Sequence, residues 1–319
     1  MNTGNEEKYM NKEIHKTSIG GQAVMEGVMM KGPEKTAISV RKPDGEIVTD
    51  IKSNAKITRN VFFKLPVIRG CVAFFDSLIT GTKALMYSAD FVDLEDETES
   101  KFDKWLERVF GDKIKDIVIY FSVIISVIFS VGLFILLPNW IASFIKLAVK
   151  SKFVLNFCEG IIRILIFLTY LWAVSKMPDI KRVFEYHGAE HKTIACYEAG
   201  EKLTPENAKK FTRLHPRCGT SFLFIVMIVS INCFSVLSWD VNVVVRSLSR
   251  IALMPVVAGI SYEIIKYAGR HDNVLTKIVS YPGLCLQKIT TNEPDESQLE
   301  VAIASMKAVI PENPEEDKW

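Results

Sequence analysis

The chain has 319 residues, room for two domains or for one domain with a membrane part, and 49% of them are hydrophobic although 24% are charged. A net charge of +2 without any basic block argues against nucleic acid as a partner. Six cysteines lack Cys-x-x-Cys spacing, and Cys158 and Cys233 lie in apolar runs, which argues against a disulfide framework.

Residues 1–16 are polar with both signs of charge, so they read as a disordered tail and not as a cleaved secretory signal. Residues 17–60 open on the stretch SIGGQAVMEGVMM (18–30), whose paired glycines let the backbone approach something closely. Glu26 is its only charge, and by spacing alone it reads as a solvated acid on a turn. Thr36 to Arg41 and Glu46 to Ile51 are rich in β-branched residues and flank Pro43-Asp44-Gly45, which predicts a β-hairpin.

Residues 61–116 hold an apolar stretch, Val61 to Leu85, interrupted by Lys64, Pro66, Arg69 and Asp76. It is a poor spanning helix and suits the membrane interface or a cover for the hairpin. An acidic run from Asp90 to Glu99 reads as a solvated linker. Residues 117–175 read as a transmembrane pair. Ile117 to Leu137 carries no charge and is long enough to cross ~30 Å of hydrocarbon. Phe153 to Ser175 follows, with Glu159 and Arg163 four apart and able to pair, as a functional intramembrane pair or a structural one.

Residues 176–220 form a loop with nine Lys and Arg, richer than the other loops between spans, which places it on the cytoplasmic side. A second pair of spans, in residues 221–268, comprises Ser221 to Trp239 and a weaker Ile251 to Tyr267 that contains Pro255, Gly259, Glu263 and Lys266. Four spans put both termini in the cytoplasm. Residues 269–319 are a polar C-terminal tail with a short amphipathic helix at Leu299 to Val309. The fold class is therefore mainly α: a polytopic membrane protein with about four transmembrane helices, a small N-terminal β-hairpin region and a cytoplasmic helical loop.

The loop carries the chemistry. Pro178 and Asp179 suit a helix start and Gly200 its end. On that helix His187, Glu190 and His191 form His-x-x-Glu-His, the inverted zincin order. Histidines four apart point the same way and can share one metal ion, and Glu190 beside them can take a proton from water on that ion. The two imidazoles fall on the packed face. The plainer reading is a pair of core histidines satisfied by hydrogen bonds. Glu198 is too far from His191, ~10 Å along the axis, to share an ion. A second helix is predicted from a Thr204 cap and Pro205 to His215-Pro216. The His-Pro-Arg-Cys stretch there offers His215 and Cys218 as further ligands.

With these motifs in order, the chain resembles the YqhQ-like bacterial membrane proteins, a family catalogued as a domain of unknown function and labelled as predicted metal-dependent enzymes. The resemblance runs from about Ile19 to Ile310. It rests on GGQAVMEGVMM at 20–30, PVIRG at 66–70, YHGAEHK at 186–192 and HPRCGTS at 215–221. It implies an integral membrane protein whose functional centre is built from these stretches, and it brings Glu26 and Arg69 into the set of site residues.

The leading expectation is a cytoplasm-facing, metal-dependent hydrolase in the bacterial inner membrane. A divalent cation, expected to be zinc, is held by His187 and His191 with His215 or Cys218, and Glu190 is the base. Inverted zincins use a downstream glutamate as third ligand, which leaves Glu263 ranked behind His215. Two alternatives stand: a thiol enzyme using Cys218, its pKa lowered by a helix N-terminus, and a non-enzymatic metal-stabilised scaffold or small-solute transporter drawing on Glu159 and Arg163. The lipid bilayer is the expected partner, and homo-oligomerisation stays open.

Overall fold

The computed structural model describes residues 15–54, 63, 65–91, 114–235, 237, 241–271, 273–313 and 315–319. Most of the 1–16 tail and the acidic residues from Asp93 to Glu99 lie outside them. The described chain is mainly helical with one small antiparallel sheet. It divides into two compact units: Met1–Val92, Tyr170–Val229 and Pro255–Trp319 form the first, and Asp93–Thr169 and Ser230–Met254 the second.

The first unit is built on four strands in the order β1 (Gly20–Val24), β2 (Gly27–Lys31), β3 (Lys35–Arg41) and β4 (Ile47–Ser53). The expected hairpin is β3–β4, with Arg41 opposite Ile47 and Gly45 at φ 89°. The glycine motif is also a hairpin. Val24 pairs with Gly27 around Met25 and Glu26, and Glu26 takes φ 49°. Alternate residues of the inner strands face opposite ways, and both faces are covered. Val28, Met30 and Ala37 pack with Leu299, Ala302, Ile303 and Met306 of a C-terminal helix, whereas Val24, Met29, Ile38 and Val40 pack on Ala84 of α1 (Ile68–Ala89). The stretch called interfacial or hairpin-covering thus does cover the sheet.

Two helices follow in the loop of this unit. α5 (Pro178–Glu198) begins and ends where its sequence signals put it, with Gly200 at φ 68° beyond its end. α6 (Pro205–Ala208) is capped by Thr204, whose side chain accepts from the Asn207 amide, but it stops after one turn and does not reach His215. The buried ammonium of Lys192 takes the carbonyls of Lys209 and Phe211 at 3.1 and 2.7 Å, so those acceptors serve a side chain instead of a further helical turn.

The polar tail of residues 269–319 needs a larger correction. It contains two capped helices, α9 (Val274–Thr290) and α10 (Glu296–Val309). α10 is no free amphipathic segment: Leu299, Val301, Ala302 and Met306 are fully buried, and Ser305 donates to the Ala37 carbonyl at 3.0 Å. The buried amides Gln287 and Gln298 lower the apparent hydrophobicity of a segment that is in fact core.

In the second unit, α2 (Ile114–Val131) continues through a π turn at Gly132–Leu136 into α3 (Leu137–Ile145). α4 (Lys152–Val174) supplies Glu159 and Arg163. They pair at 2.8 Å as expected, but the group is a triad: the other Glu159 oxygen holds buried Arg250 of α8 (Val243–Arg270). Arg163 also donates to the Phe134 carbonyl inside the π turn at 3.2 Å. Among the described residues three helical stretches, Phe121–Ile145, Lys152–Val174 and Val244–Arg270, are long and apolar enough to cross a membrane; α7 (Gly219–Ser235), where a span to Trp239 is predicted, is apolar but only 17 residues long.

Candidate functional site

The site forms where α5, the start of α7, the end of α9 and the β1 strand meet in the first unit. His187 and His191 stack one turn apart, with ring centroids 4.4 Å apart. In each ring Nδ1 meets a backbone carbonyl, Thr290 at 2.8 Å for His187 and Arg213 at 2.6 Å for His191. A carbonyl only accepts, so Nδ1 carries a proton in both rings and Nε2 is the nitrogen left facing the other side chains of the site. The Nε2 of His187 lies 3.2 Å from the Cys218 sulfur. The Nε2 of His191 is buried and has no hydrogen-bond partner among the described residues. The ligand atoms of His187, His191 and Cys218 all lie within 4.8 Å of one another.

Cys218 immediately precedes α7, and the Thr220 amide donates toward its sulfur at 3.4 Å. Burial opposes its ionisation, but the facing imidazoles of His191 and His187 outweigh burial and hold the thiol well below its ordinary range. Burial likewise disfavours charge on His187. The Cys218 sulfur, Glu190 and the Thr290 carbonyl prevail, and His187 is pushed up to about 9.

Glu190 lies between the two histidines in sequence and is 4% exposed. Burial raises its pKa above the usual carboxylate value, against the pull of both imidazoles and of the Gly21 amide that donates to it. Its Oε2 has no hydrogen-bond partner among the described residues. Gly21 is what lets β1 come so close: a Cβ there would lie 2.9 Å from the Glu190 carboxyl carbon and 2.6 Å from the Met29 carbonyl oxygen. The close approach expected of the paired glycines is therefore an approach to Glu190.

The other candidates fall elsewhere. His215 packs 5.7 Å from the His191 ring but is outside the three-donor group. Its Nε2 faces Glu198 at 3.4 Å, and burial depresses its pKa. Its backbone is held at both ends by Gln287, with 2.7 Å bonds to the amide and the carbonyl. Glu26, on the β1–β2 turn, accepts from Arg182 and from the Tyr186 hydroxyl at 3.2 Å. Arg69 and Glu263 are paired with each other, and Glu263 lies outside the three-donor group. Glu159 and Arg163 belong to the triad of the second unit. Sequence reasoning passed over Gly21 as Glu190's partner and the carbonyls of Arg213 and Thr290. The glycine pair was a signal for the first, whereas a carbonyl has no side-chain signature.

The family described as "Protein of unknown function (DUF1385)" matches residues 65–312. The "Uncharacterized protein YqhQ" of Bacillus subtilis (strain 168) is 35% identical over 312 residues, covering 94% of this chain and 95% of the relative. No solved structure matches the chain.

Proposed function

Since the chain belongs to the DUF1385 family, described as of unknown function, we propose from its own side chains that it is a membrane-embedded, metal-dependent hydrolase. His187, His191 and Cys218 would hold a divalent cation, and Glu190 would serve as the base. One observation carries this: two nitrogens and a thiolate converge while the Nε2 of His191 and the Oε2 of Glu190 are buried without partners. Buried polar atoms are nearly always satisfied, so these two atoms ask for something between them.

The donor set suits zinc, which accepts imidazole and thiolate together. Three protein donors match a catalytic site, since a structural zinc closes all four positions. Such an ion lowers the pKa of a bound water and polarises a carbonyl or phosphoryl oxygen. The chain supplies the rest. The carbonyls of Thr290 and Arg213 fix both tautomers, and Gly21 of β1 packs against the Glu190 carboxyl group, whose Oε2 is left without a partner among the described residues. That free oxygen takes the proton.

Membrane embedding is supported by the three long apolar stretches. The two ends of the described chain also pair, through a Thr17–Lys318 bridge and a 2.6 Å His15–Asp317 contact. Ends held together fit an even number of crossings, which supports reading the short α7 as a fourth. The lysine- and arginine-rich loop supports reading the site and both ends as lying on the cytoplasmic face of a bacterial membrane.

The test is metal per chain for protein purified in detergent. His191→Ala and Cys218→Ala should each lose metal by more than ~10-fold, while His215→Ala and Glu190→Gln retain it. Equal metal in all four variants would overturn the assignment. A second reading, thiol chemistry at Cys218, is favoured by the 3.2 Å His187 contact and the lowered thiol pKa. Alkylation separates the two: a coordinated thiol reacts with iodoacetamide only after chelation, and a free nucleophile reacts at the same rate before and after.

A further inference from the structure

α9 carries large apolar side chains with nothing over them. Val274, Leu275, Ile278 and Tyr281 are 75%, 62%, 64% and 66% exposed, and their spacing makes one continuous stripe along the helix. The other end of the same helix is covered: Gly283, Leu286, Gln287 and Thr290 are buried. Beside the stripe runs a groove of about 390 Å³ between α8 and α9, walled by Val67, Ile260, Ile264, Tyr267, Leu275 and Val279. Its one acid, Glu263, is already paired with Arg69.

Water does not suit such a surface, and a contiguous exposed apolar patch marks an interaction site. Two features on the molecule say what covers it. The groove's first wall is α8, whose Val244–Arg270 stretch is one of those apolar and long enough to cross a membrane. Hydrocarbon surrounding that helix is therefore continuous with the groove. Exposed Arg270 ends α8 and exposed Lys277 lies in the first turn of α9, with Lys266 one turn before Arg270. Basic side chains at the edge of an apolar stripe complement lipid phosphates.

We propose that α9 lies in the boundary plane of the bilayer, with Val274, Leu275, Ile278 and Tyr281 among the lipid chains, and that the groove holds one acyl chain of a phospholipid. This rests on reading α8 as a membrane helix. It also makes α9 a shared element, since its far end supplies the Thr290 carbonyl to His187 and the Gln287 amide to His215.

The experiment uses the full chain in phosphatidylcholine and phosphatidylglycerol vesicles doped with a phosphatidylcholine that bears a diazirine at the end of one acyl chain. After irradiation, adducts are mapped by mass spectrometry. Adducts are expected on 274–281 and on 260–267, as well as on α2. Val279→Trp, which fills the groove, should lower adducts on 260–267 at least fivefold and leave those on α2 unchanged. Ala268→Phe fills the groove from the other helix and should do the same if the first variant fails to fold. Labelled α2 and α4 beside an unlabelled α9 would overturn the proposal, because the stripe is then covered by protein, a second copy included, while the membrane reading stands. Undiminished labelling of 260–267 in both filled variants would remove the acyl chain from the groove. Absence of adducts on all helices, with release of the chain by carbonate, would end the membrane reading itself.

Discussion

Glu190 and Glu198 lie two turns apart on α5, both almost fully buried at 4% and 2% exposure, and the fold shifts their pKa values in opposite directions. Burial pushes each toward the neutral form. For Glu198 this is outweighed by His215, Arg217 and the Thr17 amide, and its pKa falls below the usual value. Its Oε1 takes the Thr17 amide at 2.8 Å and the Arg217 guanidinium, and its Oε2 faces His215. Glu190 has one amide and an unfilled oxygen, and its pKa rises. A buried carboxylate surrounded by donors is a structural bolt. One left half-satisfied beside three gathered donors is the group that the proposed function takes as its base.

The comparison is tested hardest by removing each carboxylate in turn. Glu198→Ala leaves Arg217 buried without its counter-ion and should cost about 3–5 kcal/mol, read as a fall in the melting temperature of the detergent-solubilised protein. Glu190→Gln removes a buried charge that lacks a full set of partners, so the metal-free protein should melt at the same temperature or higher. If the two variants melt alike, the distinction between bolt and base is lost.

A smaller effect is expected of Gly21→Ala. Its new Cβ meets the Met29 carbonyl and Glu190, and over-packing of this kind costs about 1–3 kcal/mol. Metal content should fall with it, since Glu190 and the helix beneath must move. Gly20→Ala has open space at its Cβ and should be silent in both assays.

The pH dependence sharpens the contrast further. Because the folded pKa of Glu198 is depressed, its contribution is fully present above the unfolded value near 4.5 and is lost as pH falls through the folded value. The gap in melting temperature between wild type and Glu198→Gln should be constant from pH 7 to about 5 and close below it. A gap that persists in strong acid would mean that packing, not charge, is the role of Glu198. The smallest effect belongs to Glu26→Gln. Its partner Arg182 is half-exposed, so the loss should stay under about 1 kcal/mol, with metal content unchanged.

Much of the site helix was legible in the sequence. Pro178 and Gly200 bounded α5, and the four-residue spacing alone placed His187 over His191. Choosing between His215 and Cys218 was not possible that way, because both sit in one short non-helical stretch whose path is set by Gln287 from a helix that composition had hidden. The pairing of Glu159 with Arg163 followed from helical spacing, but Arg250, far away in the chain, did not. Arg69 and Glu263 were both named and were never connected, since their contact depends on how α1 meets α8.

The sequence by itself determined what is local and periodic: the apolar stretches, the β3–β4 hairpin, the ends of α5, and the shared face of its two histidines. These follow from backbone geometry repeated every few residues. Only the tertiary structure decided which donor joins the histidines, why Gly21 has no side chain, and which of two buried glutamates is left with an open oxygen. Each of those is a contact between segments distant along the chain, and such contacts are fixed by packing and by which polar atoms find partners once the core has closed.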